Sequence, residues 1–167
     1  MDLERLEKLP SAETLKKILA SPAPSLGEGI HALILDTNVL LDLLYWKDAK
    51  VAGLLPKIAK ENALILFDEE TLFEFTDVIA REHFALTVKE QENLLREAST
   101  LGRIVEVPPV TAPVRCKDTD DQKFLNLAYC YKGTLLTRDK RVLKCEKKLR
   151  RHGVRAMKPE ELLLTGS

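Results

Sequence analysis

Five short apolar runs, each set off by helical stretches, constrain this chain more than any other feature. HALIL (31–35), ALILF (63–67), RIVEV (103–107), GTLLTR (133–138) and VRAM (154–157) are short, and several are apolar almost throughout. A strand that must hide both faces has that composition, and such strands belong to parallel sheets covered on both sides. The intervening segments carry helical periodicity. VLLDLLYW follows the first run, and Val51, Leu54, Leu55, Ile58 and Ala59 share one face over about 48–60. Residues 68–83 open with acids suited to a helix N-terminus. Thr87 and Glu90 form a capping box for a helix that ends at Gly102. Further helices are expected over 120–131 and from Asp139 to His152, and KPEELL closes the chain as a short helix or half-turn. Strands alternating with helices predict a three-layer α/β/α sandwich around a mainly parallel sheet.

The N-terminal part stands outside that alternation. Residues 2–20 read as an amphipathic helix through Leu3, Leu6, Leu15, Ile18 and Leu19, interrupted and restarted at Pro10 and Ser11. SPAPSLGEG (21–29) reads as a linker. The expected division is therefore a helical extension with linker over 1–29 and one α/β domain over 30–167. The extension either packs on that domain or docks another chain.

A length of 167 residues suits one domain with a real core. With 45% hydrophobic and 31% charged residues, disorder is excluded as the main state. Basic and acidic residues balance at 26 each, so no global field draws the chain to nucleic acid or membrane. Cys116, Cys130 and Cys145 are far apart and odd in number, as expected of reduced thiols in the cytoplasm. The first twenty residues are charged throughout, unlike a secretory leader, and no apolar run is long enough for a membrane span.

Acids recur where elements end: LILDTNV at Asp36, LFEF at Glu74, KDTDDQKFL around Asp121 and LLTRD at Asp139. In an open parallel sheet, ligands bind beyond the carboxyl ends of the strands. Asp36 and Asp139 each follow a strand directly and so project at that one edge. Asp121 shares a helical face with Phe124, Leu125 and Ala128, which draws it inward at the same end. Asp118 and Asp120 lie just outside that face, as cap or supporting residues. Glu74 is less determined, because Leu72, Thr76 and Ile79 form a face roughly opposite it; Glu69 and Glu70 are its substitutes. Carboxylates without paired His or Cys favour Mg²⁺ or Mn²⁺ over zinc.

Taken in order, LILDTNVLLDLL, TLFEFTDVIAR, CKDTDDQKFLNLA and GTLLTRD resemble the PIN-domain nucleases over roughly residues 31–160. The nearest likeness is to the VapC-related toxin branch of bacterial toxin–antitoxin pairs. The resemblance implies that Asp36, Glu74, Asp121 and Asp139 are the metal-binding and catalytic quartet, with Asp118 as a further ligand. It also implies that Asn38 and Thr137 hydrogen-bond to the acids. Single-stranded RNA as substrate, an antitoxin partner that buries the active edge, and a homodimer are its remaining implications.

One or two Mg²⁺ or Mn²⁺ ions at such a site would support phosphodiester hydrolysis. His31, His83 and His152 all lie outside the motifs, which leaves general-base work to a carboxylate or to metal-bound hydroxide. A basic run supports a polyanionic substrate: eleven Lys and Arg residues fall between Lys132 and Lys158, against Asp139 and Glu146 alone. Arg138, Lys140, Arg141 and Lys144, nearest the acids, are the candidate contacts; the bland alternative is a solvated helix face. Competing functions are an RNA-processing nuclease without an antitoxin and a non-catalytic RNA-binding module, although all four acids are present. A haloacid-dehalogenase-type phosphatase would need an acid where Asn38 stands. No Gly-rich phosphate loop follows any strand.

Overall fold

All five apolar runs form strands, and all five strands are parallel. The structure, a computed structural model, describes residues 2–21, 26 and 28–165. Its elements in order are α1 (Leu3–Glu7), α2 (Ala12–Ala20), β1 (His31–Leu35), α3 (Thr37–Leu44), α4 (Leu54–Lys60), β2 (Ala63–Phe67), α5 (Glu69–Ile79), α6 (Val88–Leu101), β3 (Gly102–Ile104), α7 (Gln122–Tyr131), β4 (Thr134–Leu136), α8 (Lys140–Leu143), α9 (Glu146–Arg150), β5 (Arg155–Met157) and α10 (Pro159–Leu164). The sheet order is β3-β2-β1-β4-β5. The connections leave β1 to one side through β2 and β3 and resume on its other side with β4. The topological switch therefore lies between β1 and β4, where a parallel sheet opens a crevice.

The period-two geometry of a strand splits each apolar run between two cores. Leu33 and Leu35 of β1, with Leu136 and Met157, face a layer built from α1 to α6 and α10. Ala32 and Ile34, with Leu135 and Ala156, face Phe124, Leu125 and Ala128 of α7 and Leu149 of α9. Because both faces are covered, polar side chains have no outlet along the strands. They collect at the strand ends, and that is where the acids are.

The N-terminal extension is part of the first core. Leu6 and Leu15 are fully buried there, and α2 packs on α5 and α6. Each such leucine contributes about 1.5–3 kcal/mol of burial. Residues 2–20 form two helices, because Pro10 and Ser11 separate α1 from α2. Most of the linker expected over 21–29 lies outside the described residues.

Several elements are shorter than their sequence patterns. The helix expected over 48–60 divides at Gly53 into a 3-10 turn (Ala49–Val51) and α4. The β3 strand stops at Ile104 rather than 107, after which Val105 N–H still donates to the Phe67 carbonyl at 2.7 Å. Gly102 serves two purposes at once, ending α6 and starting β3. A Cβ there would sit 2.0 Å from the Ile65 carbonyl oxygen, so no larger residue fits beside β2. The segment from Asp139 to His152 is broken into α8 and α9. Glu146 of α9 accepts from Arg155 Nε at 2.7 Å and from the Ala156 N–H, which ties α9 to β5.

Candidate functional site

Pairing fixes which residues meet at the carboxyl edge. Leu35 stands opposite Leu136 in the β1–β4 register, so the next pair is Asp36 and Thr137. The Asp36 N–H donates to the Leu136 carbonyl at 3.0 Å and continues the ladder by one step. Thr137 is wholly buried, and its hydroxyl donates to Asp36 Oδ2 at 2.8 Å. Thr137 Oγ1 in turn accepts the Asp139 N–H at 3.0 Å. One threonine thus fixes the two strand-end acids relative to each other. Asn38 meets Asp36 through its backbone. Its side chain is exposed; its backbone N–H faces Asp36 and favours the ionised form without closing a full cap.

Asp121 arrives from the other layer. Residues 105–118 cross over α7, and two amides one helical turn apart pin them there. Gln122 accepts from the Cys116 N–H at 2.8 Å and donates to the Val114 carbonyl at 3.1 Å, and Asn126 accepts from the Ala112 N–H at 2.9 Å. A 3-10 turn over Thr119–Asp121 then delivers Asp121 to the edge as the residue before α7. Asp118 caps that turn and pairs with Arg141 at 3.0 Å. Asp120 is exposed.

Glu74 reaches the site from the flank of α5. Thr37, the residue after Asp36, donates its hydroxyl to Glu74 Oε2, and Lys123 pairs with Oε1 at 2.8 Å. The helical wheel leaves Glu74 off the core face, and that suits it: the flank faces the first turns of α3 and α7. Of its sequence substitutes, Glu70 turns towards a neighbouring groove with Lys123.

The titration of these groups records their crowding. Burial raises the Asp36 pKa, and the charges of Glu74 and Asp139 add to it, against the Thr137 hydrogen bond. Asp121 is pushed up to about 7 by burial, by Asp36, and by its contact with Asp139. Burial would raise Asp139 as well, but the Arg141 backbone and guanidinium and the Asp121 carboxyl outweigh it, and its pKa falls. Asp121 and Asp139 are thus in carboxyl–carboxyl contact, which raises the pKa of the first and lowers that of the second. Asp121 Oδ2 is buried and faces no protein donor.

Among the described residues, no three His, Cys, Asp or Glu side chains form a ready-made metal cage. The donor set nonetheless fits a hard divalent cation. It consists of carboxylate oxygens, it carries more negative charge than its protein donors offset, and one buried oxygen lacks a partner. A cation there would offset the crowded negative charge.

The basic run is divided in its uses. Arg138 is held between Asp42, at 3.0 Å, and Glu160, so its charge is spent on tying β4 to α3 and α10. Arg141 lies over Asp139 and Asp118, while Arg150 and Arg155 pair with Glu146. Lys140 and Lys144 are exposed at the start and end of α8, beside the acids and without an ion pair among the described residues. Thr37, Lys123 and the Gln122–Asn126 pair are site residues that the motifs did not single out. The adjacency of Thr37 to Asp36 was the one signal available for them.

No helix among the described residues is long and apolar enough to cross a membrane. A search of the curated proteins gives no match. Residues 32–141 match the family model of the PIN domain, a span that begins inside β1 and contains all four acids.

Proposed function

Because the chain belongs to the PIN-domain family, whose members are generally nucleases, we propose that it is a Mg²⁺- or Mn²⁺-dependent endoribonuclease acting on single-stranded RNA. The observation that carries this reading is the convergence of acids at the β1–β4 crevice: Thr137 Oγ1 binds both Asp36 Oδ2 and the Asp139 N–H, and Asp121 Oδ2 beside them is buried and unpartnered. Asp36, Asp121 and Asp139 would hold the ion, with Asp118 close by. When bound, the ion supplies charge neutralisation and Lewis acidity at the scissile phosphate.

The protein supplies position. Thr137 keeps the Asp36 carboxylate aimed at the crevice while fixing the Asp139 backbone. Glu74, held by Thr37 and Lys123, orients the attacking water. Lys140 and Lys144 attract the phosphate backbone, with Arg141 poised between acid and substrate. Arg138 has a structural task instead.

The role of toxin rests on the likeness of the sequence motifs to the VapC-related branch. It requires a small protein that binds this chain and silences it; residues 2–20 and the homodimer belong to the same question. If purification yields an active nuclease with no inhibitory partner encoded beside it, the RNA-processing reading replaces the toxin reading.

The test is cleavage of 5′-labelled single-stranded RNA. Cutting in Mn²⁺ or Mg²⁺ that disappears in EDTA and in Asp36→Asn supports the proposal. Cutting that survives both treatments sinks it, and binding without cutting by the intact, metal-supplied protein would leave the RNA-binding module.

A further inference from the structure

Next to the Glu74–Lys123 pair lies a groove of about 350 Å³ walled by α1, α5, α7 and the 3-10 turn before α7. Phe73 and Glu70 come from α5, Asp120 from the 3-10 turn before α7, Lys123 and Asn126 from α7, and Arg5 from α1. Its volume falls within the roughly 300–1,000 Å³ usual for small-ligand sites. Lys123 joins it to the acids, since the same ammonium lines the groove and pairs with Glu74.

The chemistry of the walls selects a class of ligand. The Arg5 guanidinium is 5.8 Å from the centroid of the Phe73 ring, which gives the groove a cationic and aromatic side. Both cations are already neutralised: Arg5 pairs with Asp77 at 2.5 Å and Lys123 with Glu74 at 2.8 Å. Glu70 and Asp120 add two carboxylates. A phosphate would therefore meet no unspent positive charge. A flat, neutral ring with amino groups on its edge would meet a stacking surface and two acceptors.

We propose that this groove seats a nucleobase of the bound strand, next to the cleavage point, and that it favours an amino-bearing base such as cytosine over uracil. The base lies against Phe73 and Arg5, and its exocyclic amine donates to Glu70 or Asp120. Carboxylates accept from cytosine N4 in this way, and stacking on aromatic or guanidinium planes is how unpaired bases are commonly held. The N-terminal extension thereby becomes a part of the substrate-binding surface, because α1 supplies Arg5. This inference rests on the nuclease reading for its strand, and on the groove for its base.

Two assays separate the two. Binding of fluorescein-labelled rC8 and rU8 is followed by anisotropy with full-length protein in an Asp36→Asn background, which leaves the strand uncut. Hydrolysis of bis(p-nitrophenyl) phosphate, which has no base, is followed with the wild type and Mn²⁺. The groove predicts rC8 binding roughly fivefold or more tighter than rU8. Phe73→Leu, which keeps an apolar side chain, and Arg5→Gln should each weaken rC8 binding by roughly three- to tenfold. Glu70→Gln with Asp120→Asn should bring the rC8 to rU8 ratio close to one. Thermal melting confirms that each variant is folded. Equal binding of rC8 and rU8, or wild-type affinity in folded Phe73→Leu and Arg5→Gln proteins, overturns the groove. Selective oligonucleotide binding without diester hydrolysis would keep the groove and overturn the catalytic reading.

Discussion

Two buried aspartates follow neighbouring strands at the same edge, and they are held in different ways. Asp36 ends β1 and Asp68 ends β2; extending the β1–β2 register by three residues sets them opposite each other. Each directly precedes a helix. Asp68 closes its own helix cap: its Oδ1 accepts the Thr71 N–H at 2.8 Å, and Thr71 Oγ1 accepts the Asp68 N–H at 3.1 Å, while its Oδ2 is buried without a partner. Asp36 closes no such cap, and its carboxylate is held by Thr137, which is 101 residues away in sequence. A cap bonded to its own helix is a folding device. An acid withdrawn from its cap and held by the next strand is available for chemistry. The switch point explains the difference, because only Asp36 stands beside the crevice between β1 and β4.

Substituting each aspartate by asparagine tests that contrast where the effect is largest. Asp36→Asn should lower RNA cleavage by at least about a hundredfold with the fold retained, whereas Asp68→Asn should leave it within about threefold. Equal losses in both variants would erase the distinction.

The two threonines divide in the same way. Thr137→Val removes the hydroxyl that orients Asp36 and anchors Asp139, and should cost about ten- to a hundredfold in cleavage, as lost supporting contacts around metal ligands do. Thr71→Ala opens the capping box of α5 and should cost about 1 kcal/mol in denaturant unfolding with cleavage unchanged. A cleavage defect in Thr71→Ala would place the β2–α5 turn in the site.

The pH dependence of stability sharpens the comparison further. Burial raises Asp68 to about 6, well above its unfolded value, despite the Thr71 hydrogen bonds. Between those two values the folded chain holds the extra proton, so this group stabilises the fold below about pH 4 and its contribution is lost as pH rises through about 6. Asp68→Asn should remove that loss. The variant should gain about 2 kcal/mol over the wild type between pH 4 and pH 7, measured as the change in their difference in urea unfolding. Asp36 and Asp121 are raised as well and slope the same way, but they are common to both proteins. A difference that stays flat with pH would show that Asp68 does not titrate in this range.

The smallest expected effect concerns Arg138. Its pairs with Asp42 and Glu160 are partly exposed, so Arg138→Gln should cost about 1 kcal/mol or less in stability. RNA affinity should be nearly unchanged, while Lys140→Gln with Lys144→Gln weakens it and flattens its salt dependence. The reverse pattern would return Arg138 to the phosphate-binding surface.

What the sequence disclosed follows from the range of each interaction. The strands and their order of burial were legible because apolar runs and helical spacing are local patterns. Asp36 and Asp139 were legible for the same reason, since a strand end is a local feature that topology then brings to one edge. Glu74 was not readable from its own helix. Its position depends on where α5 lies against α3 and α7, and its partners Thr37 and Lys123 are distant in sequence. The placing of Asp121 depends likewise on residues 105–118, which are fixed over α7 by Gln122 and Asn126 rather than by any periodic pattern. Strand and helix lengths were overestimated where hydrophobicity continued past the last ladder bond, as in RIVEV, or across a turn, as between α8 and α9. The basic run was visible as charge, but its division between ion pairs and free lysines required the positions of Asp42, Glu146 and Glu160.

The central claim is that Asp36, Asp121 and Asp139 share a divalent cation. Anomalous diffraction from crystals soaked in Mn²⁺ tests it most directly. The expected result is an anomalous peak within coordination distance of Asp36 and at least one of Asp121 and Asp139, and no peak there in Asp36→Asn crystals. Fully occupied Mn²⁺ elsewhere on the protein, with these carboxylates unliganded and Asp121 still in contact with Asp139, would contradict it.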